Sequence, residues 1–162
     1  MLGEGLGLGK DQGKRITSIS SVDTRTEQHT FDSTLESVDA AEAVVLKEAR
    51  AMGFDEDDEH KIGIAVRECM VNAVVHGNRY NGRKKVFLAV TRSPGALEVS
   101  VADEGDHFDI AQLPDPLADE NLLRHSGRGI LLMQAFMDEF EIRPRQPKGT
   151  EVRLVKRLAK AG

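Results

Sequence analysis

Tryptophan is absent from the 162 residues, tyrosine occurs once, and Cys69 is the sole cysteine. A lone thiol excludes an internal disulfide and a cysteine-rich metal site, and without an HExxH pair no zinc spacing remains. No apolar run is long enough to span a bilayer. The opening MLGEGLGLGKDQGKR is glycine-rich and broken by charge, so it lacks the apolar core of a signal peptide. The expectation is a cytoplasmic protein with no membrane contact. A basic excess is missing too: 22 Lys and Arg stand against 27 Asp and Glu, a formal net charge of −5. With no basic cluster carrying interleaved aromatics, direct nucleic-acid binding is not expected.

What is present is the composition of an ordinary globular chain, long enough to bury a core without staples. Residues 1–24 are Gly- and Ser-rich without a sustained period and read as a flexible tail; 25–162 read as one domain. GLGLGK in the tail is not a phosphate loop, because position 4 is Glu4 where a glycine is needed and Asp11 stands where Ser or Thr is needed. EQHTFD (27–32) reads as a short strand. Ser33 with Glu36 suggests a capping box, and Leu35, Val38, Val45, Leu46, Ala49 and Met52 recur at helical spacing up to the stop signal Gly53. Asp55 can cap a second helix over about 56–76. VFLAV, the turn Ser93-Pro94-Gly95 and the alternation of Leu97, Val99 and Val101 give a hairpin over 85–102. A long irregular segment follows, 109–126, then a helix from near Gly127 and a closing hairpin around PRQPKG. Hairpins with helices between them imply an α+β two-layer sandwich: a mixed, mostly antiparallel sheet with helices on one face.

Three places carry candidate chemistry. In RECMVNAVVHGN (67–78), Glu68, Asn72 and His76 lie four apart and form one slanting polar row on an otherwise apolar helix. A buried carboxylate without a partner is costly. Either Glu68 pairs with Arg67 or Arg79 and Asn72 bonds to backbone, or the row faces a polar cavity. In VADEGDHFD, Asp103 continues the inward period of Val101; it either seeks a specific donor, such as the exocyclic amine of adenine, or binds an amide of its own Asp-x-Gly turn. In HSGRGILLM, Gly127 and Gly129 open an apolar helix. That suits a phosphate cradle as well as a plain turn.

Taken together, E-x3-N, D-x-G at a strand end, G-x-G before a helix and Gly149-Thr150 before the last strand resemble the ATP-binding fold shared by gyrase, Hsp90, histidine kinases and MutL. The segments IAVRECMVNAVVHGN, VSVADEGDHFD, SGRGILLMQAFMDEF and GTEVRL are similar to the anti-sigma factor serine kinases within that superfamily, over about 27–158. The resemblance implies that Asn72 holds Mg2+ bridging the triphosphate of ATP and that Glu68 is the base accepting a proton from a partner's serine. It implies that Asp103 recognises adenine with Thr150 in support, and that Gly105, Gly127 and Gly129 allow close approach. Arg124 or Arg128 would reach the γ-phosphate, and 109–126 would be a compact lid. Two departures stand out: His107 replaces the second glycine of D-x-G-x-G, and His125 occupies the place of the lid arginine, one residue from Arg124. The implied protein sequesters an RNA polymerase sigma factor, phosphorylates an anti-sigma factor antagonist and forms a homodimer. Its surfaces would include helix 34–52 and the lid. The rivals are a switch kinase acting on a scaffold protein and a nucleotide-binding module without phosphoryl transfer.

Overall fold

The structure is a computed structural model that describes residues 14–18, 24–106 and 129–159. In chain order these form β1 (Lys14–Ser18), β2 (Arg25–Asp32), α1 (Leu35–Met52), α2 (Glu56–Val71) running into a π-helical segment (Asn72–Gly77), β3 (Lys85–Ser93), β4 (Ala96–Ala102), α3 (Gly129–Phe136), β5 (Glu139–Pro144) and β6 (Thr150–Arg157). The strands make one six-stranded sheet in the order β1-β2-β3-β4-β6-β5. Every pairing among the described residues is antiparallel, so the sheet is not mixed.

Alternation sorts each strand's two faces. Val86, Leu88 and Val90 of β3 and Leu97, Val99 and Val101 of β4 are buried on the inner face. Leu154 of β6 lies opposite Val99 in register and joins them. Against this face pack Val38, Ala41 and Val45 of α1, Ile62, Val66, Cys69 and Met70 of α2, and Met133 of α3. Burying each large side chain contributes about 1.5–3 kcal/mol relative to exposure. α2 is the middle helix, in contact with both α1 and α3. No helix among the described residues is long and apolar enough to cross a membrane.

Local signals place most boundaries. Gly53 takes the left-handed conformation at φ 94° and its N–H closes on the carbonyls of Ala49 and Arg50, a stop that favours glycine. The Asp55 carboxylate accepts the Asp58 N–H at 2.8 Å, satisfying one of the orphan donors that start α2. The expected capping box of α1 is not there. Thr34 is the N-cap and makes no side-chain cap bond, while Ser33 Oγ donates to the Lys84 carbonyl at 2.6 Å. Ser33 therefore ties the start of α1 to the approach to β3 instead of to its own helix. β1 falls where no element was expected; its pairing with β2 runs through main-chain hydrogen bonds, which leave no side-chain pattern to read. The helix expected from near Gly127 is described from Gly129.

Candidate nucleotide site

The row on α2 divides in two, for a backbone reason. From Asn72 the helix widens into π-helical turns that end at Gly77, with the Asn78 N–H bonding the Ala73 carbonyl five residues back at 2.8 Å. Such π-turns are rare and concentrate at functional sites. Glu68 and Asn72 lie before the change and share one row, both half-buried. His76 lies beyond it, is exposed, and makes no hydrogen bond to a described residue.

Neither Glu68 nor Asn72 uses its side chain in a hydrogen bond among the described residues. The nearest candidate partner for Glu68 is committed elsewhere, since Arg67 Nη1 bonds Asp39 Oδ1 at 2.7 Å and Glu42 Oε1 at 2.9 Å. Those bonds pin α2 to α1 and hold the Arg67 guanidinium firmly charged, its pKa raised first by Asp39 and then by Glu42. Opposite, Cys69 is buried with its Sγ 3.1 Å from Met133 Sδ, and burial pushes its thiol pKa well above the ordinary range. The helix thus has a packed side carrying Cys69 and a side that leaves a carboxylate and an amide available.

At the far end of the π segment sits Asp103, 6% exposed. Its Oδ1 accepts the Gly105 N–H at 2.9 Å and the Thr150 N–H at 3.2 Å, and its own N–H donates to the Thr150 carbonyl at 3.0 Å. Oδ2 has no hydrogen-bond donor among the described residues. Burial raises the pKa of this carboxyl; the two amide donors and the charges of Arg145 and Lys84 oppose that rise.

Three glycines enclose the group. A Cβ at Gly77 would overlap Oδ2 and Cγ of Asp103, one at Gly105 would overlap the Gly77 carbonyl oxygen, and one at Gly149 would overlap the Asp103 carbonyl oxygen. Gly149 also needs φ 106°, which side-chain-bearing residues rarely adopt. The end of α2, the end of β4 and the start of β6 therefore meet at van der Waals closeness around one acid with an open acceptor. Such an acceptor suits an N–H donor like a purine amine.

A second residue locks this meeting. Asn78 is 1% exposed. Its Nδ2 donates to Ser33 Oγ at 2.8 Å and to the Lys85 carbonyl at 2.9 Å, and its Oδ1 accepts the Glu104 N–H at 2.8 Å. Glu104 in turn accepts the Lys85 N–H at 2.6 Å through Oε2. Gly77 and Asn78 escaped sequence reasoning as site residues, because Gly-Asn after a helix signals only a stop.

Of the site residues expected from sequence, Asp103, Gly105 and Thr150 come together, Glu68 and Asn72 stand on the same helix as Gly77, and Gly129 is buried as the first residue of α3. Arg124, Gly127 and Arg128, with His107, His125 and the whole of the expected lid, lie outside the described residues.

Comparison with known proteins places the domain in a family. Residues 31–156 match the family model described as histidine kinase-like ATPase domain. Anti-sigma F factor of Bacillus subtilis (strain 168) is 33% identical over 107 residues, covering 65% of this chain and 73% of that protein. The Heyndrickxia coagulans protein of the same name is 36% identical over 97 residues, covering 58% and 66%. Among solved structures, the RsbU and RsbW domains of Rv1364c from Mycobacterium tuberculosis align with a TM-score of 0.61 at 22% identity. That alignment covers 85% of this chain and 33% of the other, and at this identity it is a likeness of fold.

Proposed function

This chain belongs to the histidine kinase-like ATPase domain family, among the anti-sigma factors, and from that premise we propose that it is an ATP- and Mg2+-dependent protein serine kinase. It holds a sigma factor inactive and phosphorylates a serine of an anti-sigma factor antagonist, working as a homodimer. The observation that carries the nucleotide reading is the Asp103 enclosure: a buried acid whose Oδ1 is held by two amides and whose Oδ2 is open to an outside donor.

The residues fit the groups the family implies. Asp103 Oδ2 accepts the adenine amine, with the Thr150 and Gly105 N–H groups fixing the carboxylate and Gly77 and Gly149 leaving room for Asp103 itself. Among the described residues no three His, Cys, Asp or Glu side chains converge to hold a metal. Asn72 would offer Mg2+ an amide oxygen, a hard ligand of the kind this ion takes beside phosphate groups. When bound, Mg-ATP supplies the transferable phosphoryl group and neutralises its charge. Glu68, one turn earlier and roughly 6 Å along the axis, accepts the proton of the incoming serine hydroxyl. Arg67 takes no part, because its charge is absorbed by Asp39 and Glu42.

Labelled ATP, Mg2+ and a purified candidate antagonist or scaffold protein test this. Glu68→Ala is expected to abolish transfer while ATP still binds, and Asn72→Ala to lose the Mg2+ dependence of binding. Transfer by Glu68→Ala at the wild-type rate would remove Glu68 as the base. Nucleotide binding without transfer to any candidate would leave the chain a partner-switching module, and transfer to the scaffold alone would make it a switch kinase.

A further inference from the structure

Most described cations are engaged by carboxylates: Arg50, Arg67, Arg92, Arg143, Arg153 and Lys156 all make ion pairs. Arg79, Arg83, Lys84, Arg145 and Lys148 make none with a described residue, and among the other cations whose side chains are described only Arg25 and Lys47 share that state. The five are gathered at one end of the sheet. Arg79, Arg83 and Lys84 lie on the loop from the π segment into β3, while Arg145 and Lys148 lie on the β5–β6 turn. The Arg145 guanidinium stacks at 4.7 Å on the ring of Phe87, near the start of β3 where the first loop enters that strand, and the charges of Arg145 and Lys84 both lower the Asp103 pKa. The acids at this end are mostly occupied. Asp32 is exposed but pairs with Lys85 at 2.5 Å, Glu104 accepts the Lys85 N–H, Asp103 is buried, and Asp106 is exposed. From residue 77 to residue 97 the sequence contains no acid at all.

The backbone presents this rim actively. Arg79 and Tyr80 are consecutive non-glycine residues at φ 53° and 59°, a left-handed conformation that side-chain-bearing residues disfavour. They are held there by the Tyr80 N–H bond to Val74 and by the buried Asn78. Strain that the surroundings over-determine tends to mark a functional surface. Here it leaves Tyr80 52% exposed, the one tyrosine of the chain, among unpaired guanidinium and ammonium groups. Tyrosine and arginine are the side chains that dominate protein interfaces.

We propose that the loop of Arg79–Lys84 and the Arg145–Lys148 turn form a docking rim for an acidic segment of a protein partner. The linear sequence hides this surface because β3, β4, α3 and β5 lie between the two loops in the chain. A protein occupant fits better than a nucleic acid. The cations occupy two short loops instead of the continuous track for phosphates on which general nucleic-acid binding depends.

The test uses the full, nucleotide-free chain at low ionic strength, with a fluorescein-labelled peptide of alternating glutamate and alanine and, separately, a labelled oligothymidylate. Arg79, Arg83 and Lys148 are exposed and take no part in the Asp103 site. Replacing them together by Gln is expected to weaken peptide binding about tenfold, while Arg25→Gln with Lys47→Gln leaves it unchanged. Equal loss in both sets, or no binding of the peptide to the wild-type chain, overturns the proposal. So does oligothymidylate binding tighter than the peptide and lost in the same triple variant, which would make the rim a nucleic-acid surface.

Discussion

Gly77→Ala is the sharpest probe of the enclosure around Asp103. The new methyl carbon would lie 2.9 Å from Asp103 Oδ1 and overlap Oδ2 and Cγ, so the carboxylate must retreat by about 1 Å to regain van der Waals separation. It cannot do so freely, because Oδ1 is held by the N–H groups of Gly105 and Thr150. Overpacking of this kind costs about 1–3 kcal/mol. Helix propensity works the other way, favouring alanine by up to about 1 kcal/mol, so a net loss understates the clash. For a chain of this size each kcal/mol moves the melting midpoint by about 2–4 °C. The expected outcome is a midpoint lower by roughly 3–10 °C and loss of binding of a fluorescent ATP analogue. The decisive measurement is a double-mutant cycle by urea denaturation. In an Asp103→Ala background the carboxylate is gone and Gly77→Ala should cost almost nothing, giving a coupling of at least about 1 kcal/mol. If the two changes add to within about 0.5 kcal/mol, the methyl and the carboxylate do not compete for space, and the enclosure is misdescribed.

Two further predictions concern the same corner. Burial raises the Asp103 pKa above the ordinary 3.8, so the folded state binds this proton more tightly than the unfolded chain. Its contribution is fully present below about pH 4 and is lost as pH rises through the raised value. Asp103→Asn keeps an oxygen for Gly105 and Thr150 but cannot ionise. Its stability relative to wild type should therefore increase between about pH 4 and pH 7, followed by urea denaturation across that range, while adenine nucleotide binding falls because Oδ2 becomes an N–H donor. A relative stability that stays flat with pH would mean that Asp103 does not titrate in this way. Asn78→Ala strands Ser33 Oγ, the Lys85 carbonyl and the Glu104 N–H in a buried corner, and is expected to cost about 3 kcal/mol of unfolding free energy in urea. A loss under about 1 kcal/mol would mean that water replaces the amide, and that Asn78 does not organise the junction.

Much of this architecture was legible because periodicity carries it. The Leu97–Val101 alternation, the stop at Gly53 and the Asp55 cap each state a local rule that the fold then obeys. Asp103, too, announced itself as an acid ending an apolar row. What stayed hidden depends on contacts distant in sequence or on backbone register. The π-turn at Asn72 shifts His76 out of line without any change in residue type, so four-residue spacing grouped three side chains where the helix groups two. The threefold role of Asn78 depends on Ser33, Lys85 and Glu104 arriving from three other segments. β1 binds through main-chain groups that every residue possesses.

Sheet order and chain order disagree at one place: β6, the last strand in sequence, lies between β4 and β5. During synthesis the sheet therefore stays split until residues 150–157 emerge, with β4 lacking one neighbour and β5 any neighbour at all. Thr150 and Gly149 arrive with that strand, and they complete the lining of Asp103. A chain stopped short of Thr150 would thus lack the amide that holds Asp103 and the strand that closes its sheet in the same stroke, so truncation there would yield an unfolded fragment instead of a folded one with a damaged corner.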